Sequence, residues 1–405
     1  MKKTLTILLV VCLVLTTLFV GCKKSDSATK SATEAKAATK IGFVVINDES
    51  DQGYTWNFMN GMTAAVDKLK AEGYNLELLV KRNTTESSIA KDNNVELAEE
   101  GCAIIFNNSY GFEPYMLEAA AEYPNVKFVG MTNCGGQVDE NPNTYNAFAS
   151  IYEGRYLAGV VAGMKLNQLL AEGKIKAPVV GYVGAYSFAE VISGMSGYFL
   201  GIRSVCPQAT MKVYFVGTWG DATLEEAAAK ALIDAGCVMI SQHSDTTSPA
   251  LAAQKAGVFH TGYNTDMTTA APDASIISCR INWEPYFYTF IKNYIDGKEN
   301  PADYTGTIAD GAVALTSLNE KIAAPGTSAK LAEVEADIKS GKIKVFDLDN
   351  FTIGGKVGTN DVMYDGFAAV KGNATYDGVF HESEFQSAPY FVGQIDGIEW
   401  LNAAY

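Results

Sequence analysis

From Ile41 onward the chain follows one alternation: short, continuous, β-branched apolar runs give way to longer amphipathic segments, and these to the next run. The runs are IGFVVI at 41–46, LELLV at 76–80, CAIIF at 102–106 and KFVGM at 127–131. The stretches between them, at 56–72, 86–100 and 112–123, carry helical periodicity. Strands that are apolar along their whole length must be covered on both faces, which predicts parallel strands wound by crossover helices. The pattern then restarts. A long helical stretch at 152–171 leads into VVGYVG (179–184), MKVYFV (211–216), CVMIS (237–241) and VFHTG (258–262), with helices at 189–204, 222–236 and 247–256. Two series of roughly 110 residues each are the size of two domains. The fold class expected is α/β, with two doubly wound parallel-sheet lobes and a ligand cleft between them.

A further strand at 276–281 and a helix at 284–296 are surplus to the second series and predict a return to the first. Lobe 1 is then 41–149 plus about 279–300, and lobe 2 about 150–278 plus 303–345. A helix is expected at 328–341, and 346–405, rich in Gly, Asp and aromatic residues, reads as an extension of short strands and loops.

The amino end has a different texture. Met1, Lys2 and Lys3 precede an apolar run from Leu5 to Val20, then Gly21 and Cys22, the layout of an export signal over residues 1–21. The alternative is a retained membrane anchor. Phe19-Val20-Gly21-Cys22 matches a bacterial lipobox, with Phe where Leu is commoner, so Cys22 is the expected lipidated residue of an exported, membrane-anchored protein. Residues 23–40 hold no apolar side chain larger than Ala and read, with Cys22, as a flexible tether. The formal net charge of −15 argues against nucleic acid as a partner. Cys102, Cys134, Cys206, Cys237 and Cys279 form no CxxC and are odd in number, so they are expected as buried small hydrophobes rather than disulfides.

Catalytic patterns are scarce. His243, His260 and His381 are scattered without zinc spacing, and 193–197 only imitates a nucleophile elbow. No GxGxxG or Walker A loop follows the first strand of either series, so neither cofactor nor metal is expected. Ligands of open α/β sheets sit beyond the strands' carboxyl ends, and there the loops are aromatic and polar. They hold Asp51, Tyr54 and Trp56 after the first strand; Ser109, Tyr110 and Phe112 after the third; Glu190 after the fifth; Trp219 after the sixth; and His243 after the seventh. Gly262, Asn264 and Asp266 follow the eighth, and Asn282 the ninth. Aromatics at the tips of both lobes suit a flat ring held from two sides, and carboxylates and amides beside them suit its N–H or O–H donors. For any one aromatic the alternative is packing within its own lobe. Asp221 and Asp245 are expected instead to cap the helices that follow them.

The segments DQGYTWNFMNG (51–61), NNSYGF (107–112), YEGRYLAGVVAG (152–163), GYVGAYSFAEVISG (181–194), GTWGDATLEEAAAKALIDAG (217–236), QHSDT (242–246), GYNTDM (262–267) and CRINW (279–283) resemble, in order and spacing, the basic membrane protein family of lipoprotein solute-binding components of ABC importers. The similarity spans about Ile41 to Gly297. It implies a class I periplasmic-binding-protein fold with three crossovers, an ABC permease as partner, no enzymatic activity, and a purine nucleoside or nucleobase as ligand. By the same resemblance Tyr54 and Trp219 sandwich the purine, and Asp51, Asn264 and Asp266 contact base or ribose. Tyr54 stands where relatives carry Trp, Asn264 where many carry Asp, and Arg280 and Asn282 near a position where many carry Lys. A receptor for a sugar or other small solute, and a nucleoside hydrolase working through Asp51, Glu190 or His243, are the alternatives.

Overall fold

The apolar runs become the strands of two sheets. The protein was analysed as a computed structural model that describes residues 37–131, 141–364 and 373–402, of which those from Ala38 onward form one compact body. The export signal, Cys22, most of the tether and Cys134 lie outside the described residues. Among the described residues no helix is long and apolar enough to cross a membrane.

The first series gives β1 (Thr39–Val44), α1 (Tyr54–Ala71), β2 (Leu76–Lys81), α2 (Ser88–Glu99), β3 (Cys102–Asn107), α3 (Glu113–Glu122), β4 (Lys127–Met131) and β5 (Thr144–Ala149). The tether ends two residues before the expected Lys40, because Thr39 and Lys40 already pair with Leu76 and Glu77. The second series gives α4 (Ile151–Ala171), β6 (Val179–Gly184), α5 (Ala189–Val205), β7 (Thr210–Phe215), α6 (Ala222–Asp234), β8 (Met239–His243), α7 (Ser248–Ala256), β9 (Phe259–Tyr263) and β10 (Ser275–Ile281). There follow α8 (Glu284–Ile295), β11 (Asp303–Gly306), β12 (Val313–Leu315), α9 (Thr327–Lys339), α10 (Asn360–Met363), the hairpin β13 (Thr375–Tyr376) and β14 (Val379–Phe380), and β15 (Ile398–Trp400).

One sheet has the order β11-β5-β4-β3-β1-β2, parallel throughout. The other has the order β12-β10-β9-β8-β6-β7-β15, parallel except for β12. Strand order reverses beside β1 and β3 in one lobe and beside β6 and β8 in the other, and each reversal opens a crevice at the carboxyl ends.

Two placements differ from the sequence expectation. The strand at 276–281 does not return to the first lobe: β10 lies between β9 and β12 in the second sheet. The return starts with Trp283, which stacks on Phe58 of α1 at 4.4 Å and leads α8 onto that helix. Conversely, β11, assigned by position to lobe 2, pairs with β5 in the first sheet. A four-residue strand of sequence DYTG carries no apolar pattern of its own, so the exposed edge of β5 selects it.

The chain therefore passes between the sheets after β5, after β10 and between β11 and β12. Backbone bonds tie these crossings together: Ser150 N donates to Gly306 O at 2.7 Å and Asn282 N to Ala312 O at 2.7 Å. In the second lobe α4 and α5 touch backbone to backbone. A Cβ on Gly159 would lie 2.1 Å from Tyr198 O, and one on Gly201 2.0 Å from Tyr156 O, so glycine alone permits that approach. Cys102, Cys206, Cys237 and Cys279 are buried free thiols, as expected. Burial pushes the Cys102 thiol up to about 11 and the Cys237 thiol up to about 12, which keeps both protonated and inert.

Candidate functional site

The loops at the two strand-order reversals face each other. Ile46, Tyr54, Ser109 and Tyr110 of the first lobe, with Glu190 and Trp219 of the second, line a nearly shut gap whose cavity volume is about 10 Å³. A roomier groove of about 430 Å³ lies beside Lys127, Thr144 and Ala302. It sits at the amino ends of β4, β5 and β11, away from the converging loops, which favours the smaller gap as the site.

The lobes meet closely around this gap. A Cβ on Gly53, which precedes α1, would sit 1.6 Å from the carbonyl oxygen of Asp245 in the loop after β8. Tyr110 stacks on Phe188 across the lobes with ring centres 5.3 Å apart, and Phe188 stacks in turn on Tyr186 at 4.9 Å. Trp219 meets Tyr186 and Phe188 edge-on. The lobes are therefore closed on one another.

Tyr54 is buried, with its ring against Phe58 and its hydroxyl donating to Asn108 O at 2.7 Å. Burial, and then the charge of Glu190, hold its phenol well above the usual range. Ser109 Oγ donates to Glu86 Oε1 at 2.6 Å, and Gly111 N donates to the same oxygen. Glu190, in the first turn of α5, brings a carboxylate oxygen to 3.5 Å from His243 Nε2. That pair is no salt bridge: burial, reinforced by Arg155, holds the imidazole well below its usual range and so neutral. Arg155 is fully buried beneath, its guanidinium 3.7 Å from the Tyr263 ring centre and its Nη1 donating to Gln242 O at 2.6 Å.

Asp245 departs from its expected role. Asp221 does cap α6, accepting from Thr223 N and Leu224 N, but the cap position of α7 is Thr247. The Asp245 side chain is instead buried with Oδ2 unpartnered. Burial, and then the charges of Asp51, Glu225, Glu190 and Glu86, hold it well above the usual carboxylate range. Asn108 Nδ2, Asn264 Nδ2 and Tyr263 Oη are also buried without a partner. Groups left so lose roughly 1–3 kcal/mol each.

Other expected residues serve the scaffold. Asp51 spends its carboxylate on the backbone N–H groups of Gly53, Thr55 and Trp56, capping α1, while burial raises it above its ordinary value. Trp56 is half-buried on the first turn of that helix. Phe112 is fully buried in the α2/α3 core of the first lobe and does not face the gap. Gly262 leaves room for Ser278 Oγ, which would lie 2.3 Å from a Cβ there. Asn264 adopts a left-handed φ of 65° after β9 and donates its N–H to Cys279 O. Asp266 closes a turn onto Thr268. Asn282 belongs to the crossings, its side chain donating to Gly311 O at 3.1 Å. Sequence reasoning did not single out Ile46, Glu86, Asn108, Arg155 or Phe188. Of these, Phe188 was legible as an aromatic in a post-strand loop, whereas Glu86 and Arg155 depend on contacts across space.

The model of a family described as Bmp, ABC transporter substrate-binding protein PnrA-like, matches residues 38–349. A purine-binding protein of Brucella abortus is 32% identical over 316 residues, 78% of this chain and 85% of that protein. A protein of Haloferax volcanii, named as a proposed ABC transporter glucose-binding protein, is 29% identical over 318 residues, 76% of each chain. Among solved structures, an ABC transporter solute-binding protein of Aeropyrum pernix superposes with a TM-score of 0.64 at 15% identity, over 76% of this chain and 92% of that one.

Proposed function

Because the chain belongs to the Bmp family of PnrA-like ABC transporter substrate-binding proteins, we propose that the gap between its lobes takes one purine nucleoside or nucleobase and hands it to a permease. The observation that carries this reading is a pair of aromatic walls on opposite lobes, Tyr54 and Tyr110 facing Trp219, with the Glu190 carboxylate at the rim. Such walls suit a flat heterocycle once the lobes part to admit it, because the gap as it stands is nearly shut, and each base–aromatic stack contributes about 1–3 kcal/mol. Asp245, Asn108 and Asn264 hold buried unpartnered polar atoms in the loops beyond the strands, and these are assigned to the solute's edge once the lobes part. Solute bound to one lobe recruits the other, and closure is favoured only by the contacts that the second lobe adds. No bond is made or broken.

The protein is further proposed to be exported and held at the membrane by lipid on Cys22, with Phe19-Val20-Gly21-Cys22 as the processing site. Labelled palmitate incorporated by the wild type and not by Cys22→Ala tests this.

A second reading, a sugar receptor, has the Haloferax volcanii relative's name in its favour. Aromatic faces also stack on pyranose rings. A thermal-shift screen with adenine, hypoxanthine, adenosine, inosine and glucose separates the two. Purines are expected to raise the melting temperature, whereas a shift with glucose and none with any purine replaces the purine reading. Release of free base from inosine would overturn the receptor assignment altogether.

A further inference from the structure

The family match ends at residue 349, yet the chain continues in a packed segment with its own aromatic cluster, in which Phe346 stacks on Phe391 at 4.5 Å and Phe380 and Phe351 meet Phe391 edge-on. This segment is anchored to both sheets. On the second lobe, β15 extends the sheet beside β7, and Asn402 brackets Phe215 by accepting from its N–H and donating to its carbonyl. On the first lobe, Ser387 donates its N–H and hydroxyl to Asp303 of β11, and its hydroxyl accepts from Asn146 of β5 at 2.9 Å. Thr305 of β11 donates to Ser383 O.

Between these anchors the chain changes lobe within one peptide unit. The Glu382 carbonyl accepts from Tyr152 at the start of α4, and Tyr152 packs directly on Gly197 of α5, two turns beyond Glu190 of the gap. Its next neighbour, Ser383, is held by the first sheet. Glu382 is buried and accepts the backbone N–H groups of Ser383, Tyr390 and Phe391, so this bend is rigid rather than slack. Rotation of one lobe away from the other moves β5 and β11 relative to α4 and α5, and the bond set at 382–387 spans that boundary.

We propose that residues 382–387 clasp the two lobes beside their crossings and bias the receptor toward its closed form. The clasp acts through α5, whose first turn presents Glu190 to the solute. The proposal rests on the two-lobed opening of the proposed function, but its main readout needs no solute. In the full-length protein, Ser387→Ala with Thr305→Val removes the two hydroxyl donors at the first-lobe anchor and leaves the aromatic cluster intact. Small-angle scattering of the solute-free variant is expected to give a larger radius of gyration than the wild type at an unchanged far-ultraviolet circular dichroism spectrum. Where adenosine binds, its dissociation rate is expected to rise about tenfold, as loss of the bonds that hold a closed state acts mainly on release. Tyr152→Phe, which frees the second-lobe side of the bend, is expected to act in the same direction. Scattering identical to the wild type in both variants overturns the clasp, whereas a failure of adenosine to bind bears on the solute alone.

Discussion

Gly53→Ala isolates lobe closure from every other property of the protein. The glycine lies in the loop before α1, and the added methyl would meet Asp245 O of the other lobe at 1.6 Å. Ordinary contact is about 3.5 Å, so the two backbones must part by about 2 Å. The obstruction is backbone on both sides, and no side-chain rotation relieves it. Each lobe keeps its own core, since Gly53 packs against the facing loop. What is lost is the second wall of the site: one stack on Trp219, about 1–3 kcal/mol, and the Tyr110–Phe188 pair, about 1 kcal/mol. The sum of about 2–4 kcal/mol corresponds to purine binding roughly 30- to 1,000-fold weaker. Titration calorimetry with the purine that gives the largest thermal shift measures this, and scattering of the liganded protein reports whether the lobes still close. Wild-type affinity together with a wild-type compact profile would refute the argument, because both require the backbones to meet where the methyl stands.

The remaining predictions concern the walls, the charge and the scaffold. Trp219→Ala and Tyr54→Ala are each expected to weaken purine binding by about tenfold or more, the loss of one stack, by calorimetry; unchanged affinity in both removes the sandwich. Adenosine monophosphate is expected to bind about a hundredfold more weakly than adenosine in direct titration, because its phosphate would add a charge to the cluster of Asp51, Glu86 and Glu190 that already acts on Asp245, and like charges about 6 Å apart repel by about 3 kcal/mol at an effective dielectric of 20. Glu225 is fully buried, and that burial pushes its carboxyl up to about 7 from 4.5 despite donors from Ser244, Thr246 and Asp221. The folded state therefore binds this proton more tightly than the unfolded chain. The resulting stabilisation is complete below pH 4.5 and is lost as pH rises to about 7, by about 3 kcal/mol. Urea melts at pH 5 and pH 8 are expected to show a difference smaller by about that amount in Glu225→Gln, and an unchanged difference contradicts the assignment.

The alternation of apolar runs and amphipathic segments fixes by itself the α/β class, the two series and the loops that carry the site, because strand burial and helix periodicity are local properties of sequence. That the aromatics at 54, 110 and 219 lie in post-strand loops was readable for the same reason, and the fold brings them to one gap. What the sequence leaves open is whichever role depends on a partner distant along the chain. Asp51 and Asp245 are both acids in loops before helices, yet one caps α1 and the other is buried unpartnered, because Gly53 lets the facing loop press onto Asp245. Phe112 resembles Tyr110 in its loop but turns into the core of its own lobe. The strands β11 and β15 show little of the apolar pattern and owe their places to the open sheet edges of β5 and β7, so the segment beyond residue 349 becomes a bridge between lobes only in the folded protein. Local patterning decides what each segment is. Edges, caps and close backbone approaches, which exist only after the lobes pack, decide what it touches.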